Sequence, residues 1–583
     1  MKFQVSFLRK NWSLKKVDKR KSLFIQQTFH LNENISNLLS LMKIDLDNIN
    51  SFLNPDIKTY LPDPYILKDM EKSVEKIYEK IISQQKIGII ADYDVDGSTS
   101  AALIIKFFEL INVKYHLEIP DRINEGFGPN KRIIDNFKNK NIKTIISIDC
   151  GTSAFNVFNK KNLENLEIII LDHHVSEVKF PEVYSIVNPN RFDENNNIKH
   201  LASVGITFLF CIGLRRKLRE SNYYSKNNYI EHNLTQLLDL VALGTICDVV
   251  SLKDLNRAFV RKGLQIIQKR MNMGITSLID ISKIRNIPTV QDLSHVIGPK
   301  LNAGSRIGDS KISSKLLFSS DSLEIDSISK KLHLFNEKRK LIENEILFNA
   351  REQAYKKLNN KVLIIDNFNW HPGVIGIVAS KIVDEFGKPV VIISKNENYG
   401  IGSARSNSLI DLGSYIILAK ENGILLEGGG HKMAAGLKIL NKNIKKFSLF
   451  LENKISNQNN KNIIESIEFD LSLSLEEINN SFIDSLELLE PFGNGNPEPV
   501  FLLENLNLNF IKKIKEKHLI MNFNNNLGNS ISGICFNCLD SSLGDNLINC
   551  VNKKIHVGGN IKRDIFNNNN IAQIIVKDAV IAD

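Results

Sequence analysis

Ile87-Gly88-Ile89-Ile90-Ala91-Asp92-Tyr93-Asp94-Val95-Asp96-Gly97 decides how the rest of the chain is read. An apolar run without polar interruption ends in three carboxylates and a glycine. Such a run is the pattern of a strand buried on both faces of a parallel sheet. Three carboxylates so close together repel one another unless a cation sits among them. Hard oxygen donors suit Mg2+ or Mn2+. Gly97 is expected to allow the tight turn that gathers the carboxylates. Two blander readings are a solvated acidic turn and a calcium loop, but Leu103 stands where a calcium loop would carry glutamate.

The same pattern recurs. Ile142–Ile148 runs into Asp149-Cys150-Gly151, and Leu166–Leu171 runs into Asp172-His173-His174. Helical stretches such as Ser98–Leu110 lie between, so a parallel α/β sheet covered on both faces is expected. Ligands bind such sheets beyond the carboxyl ends of the strands, where all three acidic motifs fall. Asp149 alone could cap a following helix. Adjacent imidazoles at the mouth of a buried strand are poorly explained by packing and suit a divalent metal. Asp248, after the apolar stretch ending Gly244-Thr245-Ile246-Cys247, supplies a fourth acidic position. Two ions about 3.5–4 Å apart would clamp a phosphate and generate hydroxide from bound water.

Further along, Leu323–Leu358 reads as a long helix with Leu332, Phe335, Ile342, Ile346 and Leu347 on its apolar stripe. Glu337, Lys338, Arg339, Lys340 and Glu343 are expected on its polar face. A second α/β unit follows, with strands at Val362–Ile365 and Val390–Ile393 around a helix at Ile375–Phe386. From about Ile463 short alternating strands, among them Val500–Leu503, Leu519–Met521 and Ile555–Val557, suggest a small all-β, OB-like barrel. Asn524–Asn526 and Asn567–Asn570 read as loop tips.

At 583 residues the chain needs several domains, and its net charge of +10 is a weak hint of a nucleic-acid partner. The start of the sequence lacks the features of a signal peptide and no apolar run is of membrane-spanning length, so a cytosolic protein is expected. Cys150, Cys211, Cys247, Cys535, Cys538 and Cys550 read as buried reduced thiols. Cys535 and Cys538 have no second pair at zinc spacing.

Asp92–Gly97, Asp149, Asp172–His174 and Asp248 together resemble the four motifs of the DHH phosphoesterases. Trp370–Ser380, Gly402-Ser403-Ala404-Arg405-Ser406 and Gly429–Gly436 narrow the resemblance to the RecJ family, as do Ile297–Arg306 and Glu490–Pro499. The likeness runs from about residue 60 to the C-terminus. It implies a metal-dependent exonuclease that degrades single-stranded DNA 5′→3′ in repair and recombination. Its parts would be an N-terminal segment (1–65), a DHH domain (66–322), a connector helix (323–358), a DHH-associated α/β domain (359–460) and an OB-like domain (461–583).

Residue by residue, the resemblance implies metal ligation by Asp94, Asp96, Asp149, His173 and Asp248, with two Mg2+ or Mn2+ ions. Asp92 and His174 would belong to the same site, His174 polarising the scissile phosphate or orienting the water. Several relatives carry histidine where this chain has Ile90, which puts the second ion's affinity in doubt. Arg122 would meet the DNA, and Arg306, Ser403 and Arg405 would hold a 5′-terminal phosphate. The Gly428–Gly430 run before His431 would let backbone approach phosphates. The expected partner is single-stranded DNA with a free 5′ end, with a single-stranded-DNA-binding protein and a helicase as candidate associates. A monomer is expected, with no membrane contact. Two alternatives stand: a phosphatase acting on short oligonucleotides or nucleotide phosphates, and a non-catalytic single-strand-binding scaffold.

Overall fold

The computed structural model describes residues 6–407, 409–456, 466–539, 541–564 and 571–582. The chain divides into two compact units, one of residues 63–248 and 263–461, the other of residues 1–62, 249–262 and 462–583. The expected Asn567–Asn570 loop and the expected boundary at 460/461 lie outside the described residues.

In the first unit β1 (Ile87–Ala91), β2 (Tyr115–Glu118), β3 (Thr144–Ile148), β4 (Glu167–Leu171) and β5 (Ser185–Val187) form a parallel sheet in the order β2-β1-β3-β4-β5. Every residue of β1 and β3 is buried, as expected of predominantly apolar strands covered on both faces. The order reverses between β1 and β3, which opens a crevice beyond the ends of those two strands. Helix α1 (Val95–Leu110) begins earlier than the periodicity predicts, because Asp94 caps it: Gly97 N–H donates to Asp94 Oδ1 at 3.0 Å. The sheet is completed by α2 (Lys131–Asn139), α3 (Ser203–Glu220) and α4 (Leu238–Cys247). No helix lies between β3 and β4, so Asp149 caps nothing.

Helix α5 (Gly298–Ile307) leads towards the connector α6 (Ser322–Tyr355), which spans 34 residues and stops before Leu358. Leu332, Ile346 and Leu347 are buried on α6 as expected. Two of its expected polar-face residues are not exposed. Arg339 and Glu343 are buried and paired at 2.5 Å, and Glu343 also accepts from Lys381 Nζ at 2.5 Å. Charges one turn apart on a helix are invisible to a periodicity argument when they bury as a pair.

Beyond α6 the unit continues with β6 (Leu363–Phe368), α7 (Pro372–Phe386), β7 (Val390–Lys395), β8 (Tyr399–Arg405), β9 (Glu427–His431) and β10 (Ala434–Leu440). These strands form a mixed sheet in the order β9-β10-β8-β7-β6, parallel only between β6 and β7. Helix α7 and the C-terminal half of α6 cover one face through Ile346, Ala350, Val374, Val378 and Ile382.

In the second unit the strands Phe501–Ile514, His518–Asn524, Ser530–Cys535, Ala572–Ile581 and Lys554–Arg563 close into a five-stranded barrel. Closure follows because Phe501–Ile514 pairs with both His518–Asn524 and Lys554–Arg563. Alternating inward residues, including Leu519, Met521 and Phe523, fill it. Cys535, Cys538 and Cys550 are buried free thiols in this core. Helices Lys19–Phe29 and Glu33–Leu41 contribute Ile25, Ile35 and Leu39 to the same core, and Asn11–Leu14 pairs in parallel with Ser466–Phe469. Arg257, almost fully buried, is held by the carbonyls of Phe52, Leu489 and Glu490. No helix among the described residues is long and apolar enough to cross a membrane.

Candidate metal centre and phosphate cleft

Ala91, Ile148, Leu171 and Val187 pair across the sheet as the last residues of β1, β3, β4 and β5. The residue after each is polar: Asp92, Asp149, Asp172 and Asn188. Parallel register therefore lines three carboxylates and an amide along one edge of the sheet. Asp149 adopts a left-handed backbone (φ 62°), a conformation a non-glycine residue holds only where its surroundings impose it.

Asp94 and Asp96 join this row from the first turn of α1. Asp96 is held from the opposite side, its carboxylate accepting from the Ser203 and Val204 amides at the start of α3, at 2.7 and 2.9 Å. Asp248 arrives at the end of α4. Close helix crossing makes this geometry available. A Cβ on Gly97 would lie 2.4 Å from the Asp92 carbonyl oxygen, and one on Gly244 would lie 2.3 Å from Thr99 Oγ1 and 3.1 Å from Asp96 Oδ1. Gly97 thus lets the chain fold back tightly on the Asp92 backbone as α1 begins, which gathers the carboxylates as the motif suggests.

Three overlapping groups result, Asp92/Asp94/Asp149, Asp96/His173/Asp248 and Asp149/His173/His174, each with its ligand atoms within 4.8 Å of one another. His173 Nε2 lies 3.4 Å from Asp149, 3.5 Å from Asp248 and 3.9 Å from Asp96. Asp92 Oδ1, Asp149 Oδ1 and His173 Nε2 are buried and make no hydrogen bond. Orphaned acceptors converging on one point are the arrangement a divalent cation satisfies, and the donor set fits Mg2+ or Mn2+. Ile90 adds no ligand, because its side chain is packed with Ile133, Phe137 and Ile145 in the core.

The two histidines are electrostatically distinct. Burial, then the charge of His174, holds His173 down to about 4, which leaves a neutral imidazole with a lone pair to donate. For His174 burial opposes the charged form, but its hydrogen bond to Asp172 (Nδ1 to Oδ1, 2.8 Å) and the surrounding carboxylates hold it up to about 9. Asp172 also accepts from the amides of His173 (2.7 Å), His174 (3.2 Å) and Thr152 (3.1 Å). Asn188 donates to the His174 carbonyl at 2.8 Å and Asn190 to that of His173 at 2.7 Å. Sequence reasoning assigned no site role to Asp172, Asn188 or Asn190. Ser185-Ile186-Val187-Asn188 repeats the pattern of an apolar run ending in a polar residue and could have flagged Asn188.

Crowding raises the proton affinity of the acidic cluster. Burial first and neighbouring carboxylates second push Asp96 up to about 7 and Asp248 up to about 9, and drive Asp92 and Asp149 the same way. A carboxyl that holds its proton more tightly folded than unfolded favours the fold at low pH and stops doing so as pH rises through its folded value. With metal chelated, thermal stability is therefore expected to fall between about pH 5 and pH 9. At pH 8 a hundredfold excess of Mn2+ over its dissociation constant restores about 2.7 kcal/mol. Scanning calorimetry with and without chelator checks this, and a midpoint indifferent to both pH and metal would discard the cation site.

The second cluster is cationic. Arg122, Arg306, Lys381, Ser403 and Arg405 line a cleft of about 410 Å³ against α7. Glycines let the walls close: a Cβ on Gly376 would stand 3.0 Å from Ser403 Oγ and 3.2 Å from Arg405 Nη2. Arg306 donates to the Gly373 carbonyl at 2.8 Å, and Arg405 to Ser403 Oγ at 3.2 Å. Among the described residues none of Arg122, Arg306 and Arg405 has an acidic partner within 4.0 Å. Burial, then the charges of Arg122 and Arg339, brings Arg306 down to about 9. Half-buried cations that lack a counter-charge form a site for an anion. His431 does not line this cleft. It stands exposed at the end of β9, opposite Ala434, which is opposite Arg405, roughly 10 Å away at the usual strand spacing.

Comparison with known proteins agrees with this division. The model for the DHH family N-terminal domain matches residues 86–245, that for the DHHA1 domain residues 359–457, and that for the RecJ OB domain residues 469–578. The chain is 28% identical over 581 residues to the single-stranded-DNA-specific exonuclease RecJ of Bacillus subtilis, covering 98% of this chain and 71% of that protein. It is 30% identical over 464 residues to the protein of the same name from Haemophilus influenzae, covering 77% of this chain and 80% of that one. The crystal structure of Thermus thermophilus RecJ in complex with Mn2+ superposes with a TM-score of 0.80 at 22% identity, over 98% of this chain and 80% of the other. A crystal structure of exonuclease RecJ bound to manganese matches at 26% identity with a TM-score of 0.58, over 68% and 96% of the two chains.

Proposed function

The chain belongs to the RecJ family of DHH phosphoesterases, and on that premise we propose that it is a metal-dependent exonuclease degrading single-stranded DNA from the 5′ end to mononucleotides. The observation that carries the reading is the presence, in one compact unit, of a carboxylate–imidazole cluster and a separate cleft of uncompensated arginines. The first is suited to phosphodiester hydrolysis and the second to gripping a terminal phosphate.

In this reading Asp94, Asp96, Asp149, His173 and Asp248 hold two ions, with Asp92 beside them. Bound Mg2+ or Mn2+ supplies a hydroxide nucleophile and charge neutralisation at the scissile phosphate. His173, neutral, offers Nε2 to the cluster, while Asp172 fixes the orientation of His174 through Nδ1. With Nδ1 engaged by Asp172, His174 presents Nε2 for polarising the scissile phosphate or orienting the attacking water. Arg122, Arg306, Ser403 and Arg405 hold the 5′ phosphate and leave one nucleotide between themselves and the cluster. His431, further along the sheet, meets the strand beyond the terminal phosphate. The barrel provides a stacking and backbone-tracking surface of the OB kind. The same reading puts the enzyme in DNA repair and recombination in the cytosol, working as a monomer beside a helicase and a single-stranded-DNA-binding protein.

The test is an assay on 5′- and 3′-labelled single and double strands with each metal, together with a dinucleotide. Mononucleotides released from the 5′ ends of single strands support the proposal. Faster turnover of the dinucleotide would move the chain to the small-substrate phosphatases, and strand binding without turnover would make it a scaffold.

A further inference from the structure

Tyr93 lies in sequence between Asp92 and Asp94, and it packs, as Leu117 does, against the buried cluster of Ala91, Ala101 and Ile119. The Arg122 guanidinium carbon sits over that ring, 4.8 Å from its centroid. No ion pair to Arg122 is found among the described residues, so this stacking is the contact that orients its head group. The backbone that carries Arg122 is fixed separately. Asp121 Oδ1 accepts from the Ile123 and Asn124 amides at 2.9 and 2.8 Å, Glu125 accepts from the Asp121 amide at 2.7 Å, and Arg132 Nε donates to Glu125 at 2.5 Å. Arg122 itself lines the phosphate cleft together with Arg306, Ser403 and Arg405. One aromatic ring thus bridges the strand end that carries the acidic cluster and the cation at the lip of the phosphate cleft.

We infer that Tyr93 is a positioning residue: by stacking under Arg122 it sets the spacing between the metal-holding carboxylates and the cations that grip the terminal phosphate, and so the length of the released product. This rests on the exonuclease reading above. The stack needs a π face and not the hydroxyl, so Tyr93→Phe retains it and Tyr93→Leu does not. Arg122 remains in place as a charge when Tyr93 is replaced, but its head group is free to sample other rotamers.

The experiment is a double-mutant cycle with Tyr93→Phe, Tyr93→Leu, Arg122→Ala and the Leu/Ala double variant, acting on 5′-phosphorylated single strands with Mn2+. Tyr93→Phe is expected within about twofold of the parent, and Tyr93→Leu to raise KM about tenfold with a smaller change in kcat. Dinucleotides should appear among the products of both Tyr93→Leu and Arg122→Ala. On the Arg122→Ala background the further effect of Tyr93→Leu should shrink to about twofold or less, the non-additivity of residues acting through one contact. Additive effects, damage in Tyr93→Phe equal to that in Tyr93→Leu, or unchanged product lengths in Arg122→Ala would each overturn the inference. Arg122→Ala removes a surface-loop side chain and so reads product length even if Tyr93→Leu does not fold. A parent protein that fails to degrade the strand would instead sink the exonuclease reading itself.

Discussion

Asp149→Asn and His173→Ala are each expected to lower strand degradation by at least about a thousandfold while leaving strand binding nearly unchanged. Both residues sit where the candidate ligand groups overlap, Asp149 and His173 each belonging to two of the three. Loss of either therefore weakens two positions at once. Asparagine is the informative replacement at 149, because the left-handed backbone there tolerates it better than alanine. Asp149→Asn also removes one of the mutually repelling carboxylates, so with metal chelated at pH 8 the variant should unfold at a higher temperature than the parent. A variant that gains stability and loses chemistry separates a metal-holding role from a structural one. Retention of more than about a tenth of the rate in both variants would remove these residues from the site.

Arg306→Ala is expected to raise KM for a 5′-phosphorylated strand about a hundredfold and to erase the preference over a 5′-hydroxyl strand. A charge-assisted hydrogen bond to phosphate is strong where the cation is partly withdrawn from water, and burial is the main cause that weakens the hold of Arg306 on its proton. Folding stability should stay level or rise, since a buried guanidinium with no acidic partner opposes folding. The lost hydrogen bond to the Gly373 carbonyl works the other way. Activity on both substrates and thermal unfolding measured side by side check the prediction. Equal loss on both strands, or a collapse in stability, would mean that Arg306 braces α5 against α7 and reads no terminal phosphate.

Much of the metal centre was legible in the sequence because each ligand-bearing segment announces itself locally. β1, β3 and β4 are short, mostly apolar runs, and the aspartate that follows each marks the strand end where parallel sheets bind ligands. Asp94 and Asp96 follow in the same motif, and Asp248 follows an apolar helix. The phosphate cleft was legible only through resemblance. Nothing in the spacing of Arg306 and Ser403, almost a hundred residues apart, indicates that α5 and β8 meet.

What stayed hidden has one physical character. Asp172 has no assigned role in its motif, and the structure gives it one: its oxygens accept from three backbone amides and the His174 ring. Gly244 looks like helix filler, and its purpose appears only when Thr99 and Val204 of the neighbouring helices close on it. Arg339 and Glu343 look solvated until α7 covers them. Ile25, Ile35, Leu39 and Leu53 carry no local signal of sharing a core with the barrel far along the chain.

By itself, then, the sequence determined where strands and helices form, which residues end them, and that carboxylates and imidazoles gather at those ends. Hydrophobic period and capping act over a few residues and can be read locally. Only the tertiary structure decided which oxygens remain unpaired for a cation, which arginines line a cleft without a counter-charge, and that Tyr93 lies under Arg122. Those properties depend on burial and on partners remote in the chain, and no local pattern encodes them.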